Sequence, residues 1–312
     1  MSSTTLPPAA AGAPASRPAT VLTPLVLACL AATWLVWGST YLAIKVALTG
    51  LPPFWQMGSR FLVAGALLLV WMRWRGAPWP TPRQWGHATV VGTLMLGCGM
   101  GGTAVAEQSV ASGLVVAFIA VTPLLITLLD RAFGQRPARL EWAGIGLGLA
   151  GVLLLVQGAG FQASPAGLLA QSIACAGWAL GSVLSQRRLP LAPGAMGFAS
   201  EMLCGGLLLM AVSASSGERM PLSQLAQVPA AAWAAWVYLV LAGSLLAFNA
   251  YMVLLARTSA ALASSYAFVN PLIALLLGVG LAGEVVTGTE WAAAGVILGG
   301  VALVLLARRR TA

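Results

Sequence analysis

Trp37, Tyr41 and Lys45 stand at i, i+4 and i+8, a spacing that puts them on one face of a helix. Two aromatic rings leading to a cation could line a pathway and bind a carboxylate or an aromatic group. The plain alternative is aromatic packing, with the lysine reaching to lipid headgroups. Two further charges, Arg60 and Glu201, lie inside apolar stretches. An ionisable group at the centre of a membrane helix costs about 2.5–3.5 kcal/mol on insertion scales, so each is a functional candidate. Arg60 suits an anionic ligand or a gate, or else snorkelling and bonds to loop carbonyls. Glu201 suits proton coupling or a local pair with Arg187 or Arg188. Glu107 could neutralise Lys45 or Arg60, though a solvated helix end is the simpler reading. Pro123 and Pro271 each remove a helical hydrogen bond and free a carbonyl, which lipid tolerates only where protein or a wet cavity satisfies the group. Thr122 and Asn270 precede them, Tyr266 shares a helical face with Asn270, and Asn249 lies one apolar segment earlier. This polar set reads as cavity lining or as interhelical hydrogen bonds worth about 0.6 kcal/mol each.

Other chemistries lack their residues. His87 is the one histidine, and Cys29, Cys98, Cys175 and Cys204 sit in apolar stretches without CxxC spacing, so they read as packing residues rather than metal ligands or disulfides. No GxxxxGK[ST] phosphate loop occurs, and no ATPase subunit or cofactor is expected. A membrane-embedded enzyme would need clustered His, Asp, Ser or Arg, which scattered acids and one histidine do not supply. The net charge of +9 and pI near 10.5 do not indicate nucleic acid, because the basic residues lie between apolar segments rather than in a patch.

The elements that position these residues follow from composition. Of 312 residues, 59% are hydrophobic and 7% charged, against roughly 25% charged in a soluble domain; lipid must be the main solvent. A membrane helix needs about 20 apolar residues. Such segments fall near 24–48, 54–73, 85–106, 109–131, 139–157, 165–186, 195–216, 231–256, 259–281 and 288–307. Residues 1–20, rich in Pro, Ala, Ser and Thr, read as a disordered arm, and 308–312 as a basic tail. The stretch from Val21 is too long for a signal peptide and reads as the first helix. Thirteen of the sixteen Lys and Arg fall at alternate breaks and termini: Arg17; Arg73, Arg75 and Arg83; Arg131, Arg136 and Arg139; Arg187 and Arg188; Arg257; Arg308, Arg309 and Arg310. The intervening breaks hold Arg219 alone. This places both termini in the cytoplasm and makes the span number even.

The chain also repeats itself. Gly38-Ser39 matches Gly181-Ser182, each behind a tryptophan (Trp37 and Trp178); Ser59-Arg60 matches Ser200-Glu201; Pro123-Leu124 matches Pro271-Leu272; Glu141-Trp142 matches Glu290-Trp291. Two five-span halves, 21–158 and 164–307, would enter the membrane from opposite sides, as inverted repeats of transporters do. On that plan Arg60 and Glu201 lie at equivalent depths from opposite faces, about 12 Å apart across the core, too far for a direct salt bridge without strong tilt. The fold expected is an all-α membrane protein of ten helices around a central cavity.

With the five-plus-five plan, the Trp-Gly-Ser-Thr run at 37–40, the Pro52-Pro53 pair before Arg60 and the two Pro-Leu landmarks, the chain resembles the drug/metabolite transporter superfamily. Within it the likeness is to the EamA-domain group and its YedA-like exporters. The resemblance covers about 22–307. It implies a cavity between the halves, with Trp37, Ser39, Thr40, Trp178 and Ser182 near it, and export of metabolites or amino-acid-like compounds. The partners expected are a small-molecule substrate, the lipid bilayer, and protons or a counter-substrate as the driving species. A channel or membrane scaffold is the alternative reading. A reporter fused after Ala312 is expected to be active only when it works in the cytoplasm; activity of a periplasm-dependent reporter there would reverse the topology.

Overall fold

The computed structural model describes residues 22–110, 115, 118–156, 164–218, 220–282 and 287–309. The expected arm, 1–20, lies outside the described residues, as do Arg219 and 310–312. In chain order the helices are α1 (Pro24–Ala47), α2 (Pro53–Trp74), α3 (Pro82–Ala106), α4 (Thr122–Ala132), α5 (Arg139–Val156), α6 (Pro165–Arg187), α7 (Ala195–Ser215), α8 (Ala230–Arg257), α9 (Tyr266–Ala282) and α10 (Gly288–Arg309). Six of them, α1, α2, α3, α6, α7 and α8, are long and apolar enough to cross a membrane. Each of the other four coincides with a segment expected to span. Arg308 and Arg309, expected in the tail, continue α10.

Proline sets many of the starts. Pro24, Pro53, Pro82 and Pro165 each open a helix, where a missing N–H leaves no bond unmade and φ is already helical. Three of these starts are capped by the preceding hydroxyl. Thr23 accepts from the Val26 amide at 3.3 Å and Ser164 from the Gly167 amide at 3.0 Å. Thr81 and Gln84 form a reciprocal capping box, which satisfies two orphan donors at once. Gly76 (φ 81°) and Gly134 (φ 85°) turn the chain just past α2 and α4, in a conformation that disfavours any residue with a Cβ.

The helices pack through small residues, as expected where no hydrophobic force distinguishes helix from lipid. On α2 and α7, a Cβ at Gly206 would lie 3.0 Å from the Leu62 amide nitrogen and 3.1 Å from the Gly58 carbonyl. On α5 and α10, a Cβ at Gly300 would lie 2.6 Å from the Gly148 nitrogen and 2.8 Å from the Gly144 carbonyl. Gly38 of α1 closes on Ile273 of α9, and Gly181 of α6 on Met95 of α3. The Gly-Ser landmarks are thus points of close helix approach. In the resulting bundle α1 lies against α8 and α9, while α6 lies against α3 and α4. Outward-facing Leu35, Leu67, Val70, Leu153, Leu169 and Leu207 are all more than half exposed, a surface suited to lipid.

Two helices change pitch midway. α3 winds as a π-helix over Thr93–Gly101 and α8 over Leu239–Phe248. Such stretches are rare, concentrate at functional sites, and shift the phase of every later side chain. They occupy corresponding places in the two expected halves. Gly300→Ala is expected to cost about 1–3 kcal/mol by overpacking and to lower the melting midpoint of purified protein. Gly295, with no heavy atom within 4 Å of its virtual Cβ, tests the contrast: Gly295→Ala should melt no lower than wild type, because alanine favours helix by about 0.8–1.0 kcal/mol.

Candidate substrate site

α1, α2, α3, α4, α6, α8 and α9 surround one cavity of about 620 Å³, a volume that includes the space at its mouth. From α1 come Trp37, Thr40, Tyr41 and Ile44; from α2, Arg60 and Phe61; from α3, Gly99, Met100 and Thr103. α4 and the residues before it supply Ile119 and Thr122; α6 supplies Gln171, Ala174, Cys175 and Trp178; α8 and α9 supply Gly243, Phe248 and Tyr266. The lining is largely apolar with a few polar groups, the usual composition of a small-molecule site.

One end of the cavity is bounded by packed rings. Trp37 meets Tyr266 at 4.6 Å between centroids, Tyr251 at 5.1 Å and Trp178 at 5.6 Å, and Phe248 lies 6.2 Å from Trp178. Each such pair contributes about 0.5–1.5 kcal/mol beyond its buried area. Polar tips fix the rings. The Trp37 indole N–H donates to the Gly243 carbonyl at 3.1 Å, inside the π-helical stretch of α8. The Trp178 indole donates to the Tyr251 hydroxyl at 3.3 Å, which is 3.0 Å from the Ser182 hydroxyl. Beside it, Trp34 donates to Ser265 at 3.1 Å, joining α1 to the turn before α9.

Arg60 is the charge on the wall. It is 2% exposed; its Nε donates to the Ser244 hydroxyl at 3.0 Å, and its guanidinium lies 4.6 Å from the Phe61 ring centroid. Its Nη1 has no hydrogen-bond partner. A buried guanidinium held by one neutral hydroxyl is under-satisfied and available to an anion, which it can engage by charge-assisted bonds.

The other expected residues fall around this frame. Thr40 and Thr122 line the cavity; Thr40 donates to the Trp37 carbonyl at 2.8 Å. Ser39 does not line it and instead meets the Tyr238 hydroxyl at 2.6 Å. Ser182 lies beyond the aromatic boundary with Tyr251. Lys45 is exposed, one helical turn past Tyr41. Asn249 donates to the Leu245 carbonyl at 2.6 Å along its own helix. Asn270 is fully buried behind the wall, next to Tyr41, and neither of its amide atoms makes a hydrogen bond. Pro271 interrupts α9 from within. Pro123 differs from its expected mid-helix place: α4 begins at Thr122, so Pro123 sits in the first turn, and its carbonyl accepts from Thr127 at 2.7 Å. The interruption lies just before it, where the chain turns at 120–121.

Two simple readings of acids are overturned. Glu201 is fully buried with neither oxygen hydrogen-bonded; Arg187 pairs instead with Asp130 at 2.8 Å. Glu107 is not a solvated end, for both carboxylate oxygens are buried and without hydrogen bonds. Sequence reasoning also missed Gln171 and Cys175, although Gln171, Cys175, Trp178 and Ser182 share a helical face that the spacing argument used for α1 would have found. Phe248, Gly243 and Ser244 had no such signal, because the π-helical stretch breaks the 3.6-residue period that spacing arguments rest on.

Comparison with known proteins fits this geometry. The EamA-like transporter family profile matches residues 23–157 and again 165–306. The inner membrane transporter YedA of Escherichia coli K12 is 42% identical over 281 residues, 89% of this chain and 90% of YedA. PecM of Dickeya dadantii is 28% identical over 246 residues, 78% and 80% of the two chains. A crystal structure at 24% identity superposes with a TM-score of 0.73 over 92% of this chain and all of that one, which shows a shared fold. Matched twice by the family profile and across nine-tenths of its length by YedA, the chain belongs to the EamA-like transporter family.

Proposed function

We propose that this protein is a secondary carrier of the inner membrane that exports a small metabolite, amino acid or drug-like compound by alternating access. The observation that carries the reading is Arg60: a buried cation with an unused donor, on the wall of a largely apolar cavity closed at one end by rings. The cavity suits a compound with an apolar or aromatic body and one anionic group. Orientation by the Lys and Arg bias puts the cavity in the periplasmic half and the aromatic boundary toward the cytoplasm, a state open outward. The twofold family match and the paired π-helical stretches support two five-helix halves, 21–158 and 164–307, moving about a common axis. The hydrogen bonds Trp37 to Gly243 and Trp34 to Ser265 join α1 to the second half, so opening toward the cytoplasm would break them. Glu201, beyond the rings, is the candidate for proton coupling from the cytoplasmic side.

The test is counterflow in proteoliposomes with purified protein, screened across amino acids, aromatic carboxylates and toxic analogues. Saturable uptake with counterflow is expected; unsaturable downhill flux would make the protein a channel, and no movement of any compound would defeat the carrier reading. For an anionic substrate, Arg60→Gln is expected to raise the half-saturating concentration about ten- to a hundredfold, the loss of one charge-assisted bond. Glu201→Gln is expected to flatten the pH dependence of exchange, and an unchanged profile would remove Glu201 from coupling.

A further inference from the structure

Glu107 has no role in the site as described so far. It follows directly on the end of α3 at Ala106, and its backbone N–H donates to the Thr103 carbonyl at 2.9 Å. Thr103 lines the cavity, so Glu107 lies one helical turn beyond that wall on the same face. Both carboxylate oxygens are buried and neither makes a hydrogen bond. The cations close enough to act on it are Lys45 of α1 and Arg60 of α2, and the Tyr41 hydroxyl of α1 also lies within its field. Lys45 is exposed, and solvent screens it. Arg60 is buried, and no anionic group lies within hydrogen-bonding reach of it. The buried charges at this place are therefore one guanidinium and one carboxylate, which balance without touching.

We propose that Glu107 is a proton-binding site coupled to the anion site at Arg60. The proposal rests on the reading that Arg60 takes an anionic group of the substrate. When a monoanion occupies the guanidinium, the buried set becomes one cation and two anions. A second carboxylate in a low-dielectric site is held at a cost of several kcal/mol unless it is neutralised. Like charges sharing a site disfavour ionisation of one of them. Glu107 then takes one proton from the water at the cavity mouth, and balance is restored. Anion and proton are bound together and leave together, so each monoanion crosses with one proton and no net charge. Transport of this kind responds to a pH gradient and not to membrane potential.

Infrared difference spectroscopy on the purified full chain tests the coupling without any transport measurement. The carbonyl stretch of a protonated carboxyl group is the readout. Arg60→Gln removes the counter-charge as a bound anion would, and at neutral pH it is expected to gain the intensity of one protonated carboxyl over wild type. The gain should vanish in Arg60→Gln/Glu107→Gln, while Arg60→Lys, which keeps the charge, should resemble wild type. Glu201 is common to all four proteins and cancels. Because Arg60→Gln could fail to fold, a second arm adds isotope-labelled phenylacetate, an apolar ring with one carboxylate, to the wild-type protein. The same gain is expected there and not in Glu107→Gln. A gain in either arm that depends on Glu107 supports the coupling. Absence of the gain from folded Arg60→Gln, or from the wild-type arm if that variant does not fold, overturns it. A positive spectrum with a failed counterflow screen would leave the coupling standing and reject the carrier reading; the reverse pattern would reject the coupling alone.

Discussion

A guanidinium buried in an apolar bundle must be surrounded by groups that tolerate it, and much of this structure is arranged around that need. Arg60 has one hydroxyl, Ser244, and one aromatic face, Phe61, within reach. Ser244 lies in the π-helical stretch of α8, and the neighbouring Gly243 carbonyl holds the Trp37 indole. The change of pitch in α8 thus serves two contacts at once, the hydroxyl for the cation and the carbonyl for the ring that bounds the cavity. Both contacts cross between segments far apart in sequence, so the position of α2 and α1 against α8 is set by the same few residues that shape the site.

Small residues make this arrangement possible. α2 and α7 approach through Gly58 and Gly206, and α5 and α10 through Gly144, Gly148 and Gly300. These close pairs brace the bundle away from the cavity, while α1 and α6 lie beside helices of the opposite half. A binding site between the halves needs some helices packed tightly and others able to change neighbours. Hydrogen bonds from indoles to a carbonyl and a hydroxyl, worth about 0.5–1.5 kcal/mol each, are contacts that thermal motion and substrate binding can trade.

The charged groups divide by position. Asp130 and Arg187 form an ion pair at the ends of α4 and α6, near the expected cytoplasmic surface. Arg60, Glu107 and Glu201 are buried and lack ion-pair contacts among the described residues. Buried ionisable groups left in this condition are the usual mark of sites that meet ions or substrates.

The family and the frame were legible in the sequence because they rest on local rules. Apolar length marks spans, proline marks their starts, alternating Arg and Lys set a direction, and the paired landmarks gave the repeat; the helices of the structure fall on those segments. The Trp37–Tyr41 face and Arg60 were readable too, since helical spacing and charge in an apolar stretch need no tertiary information. What the tertiary structure alone decided was the partners. Arg187 chose Asp130 over Glu201 because α4, not α7, lies beside the end of α6. Glu107 is buried because α1 and α2 crowd the end of α3, and Ser244 and Phe248 reach the site because α8 changes pitch where sequence periodicity assumes it does not. Which face a helix shows is written in its own residues, but what that face meets depends on helices hundreds of residues away.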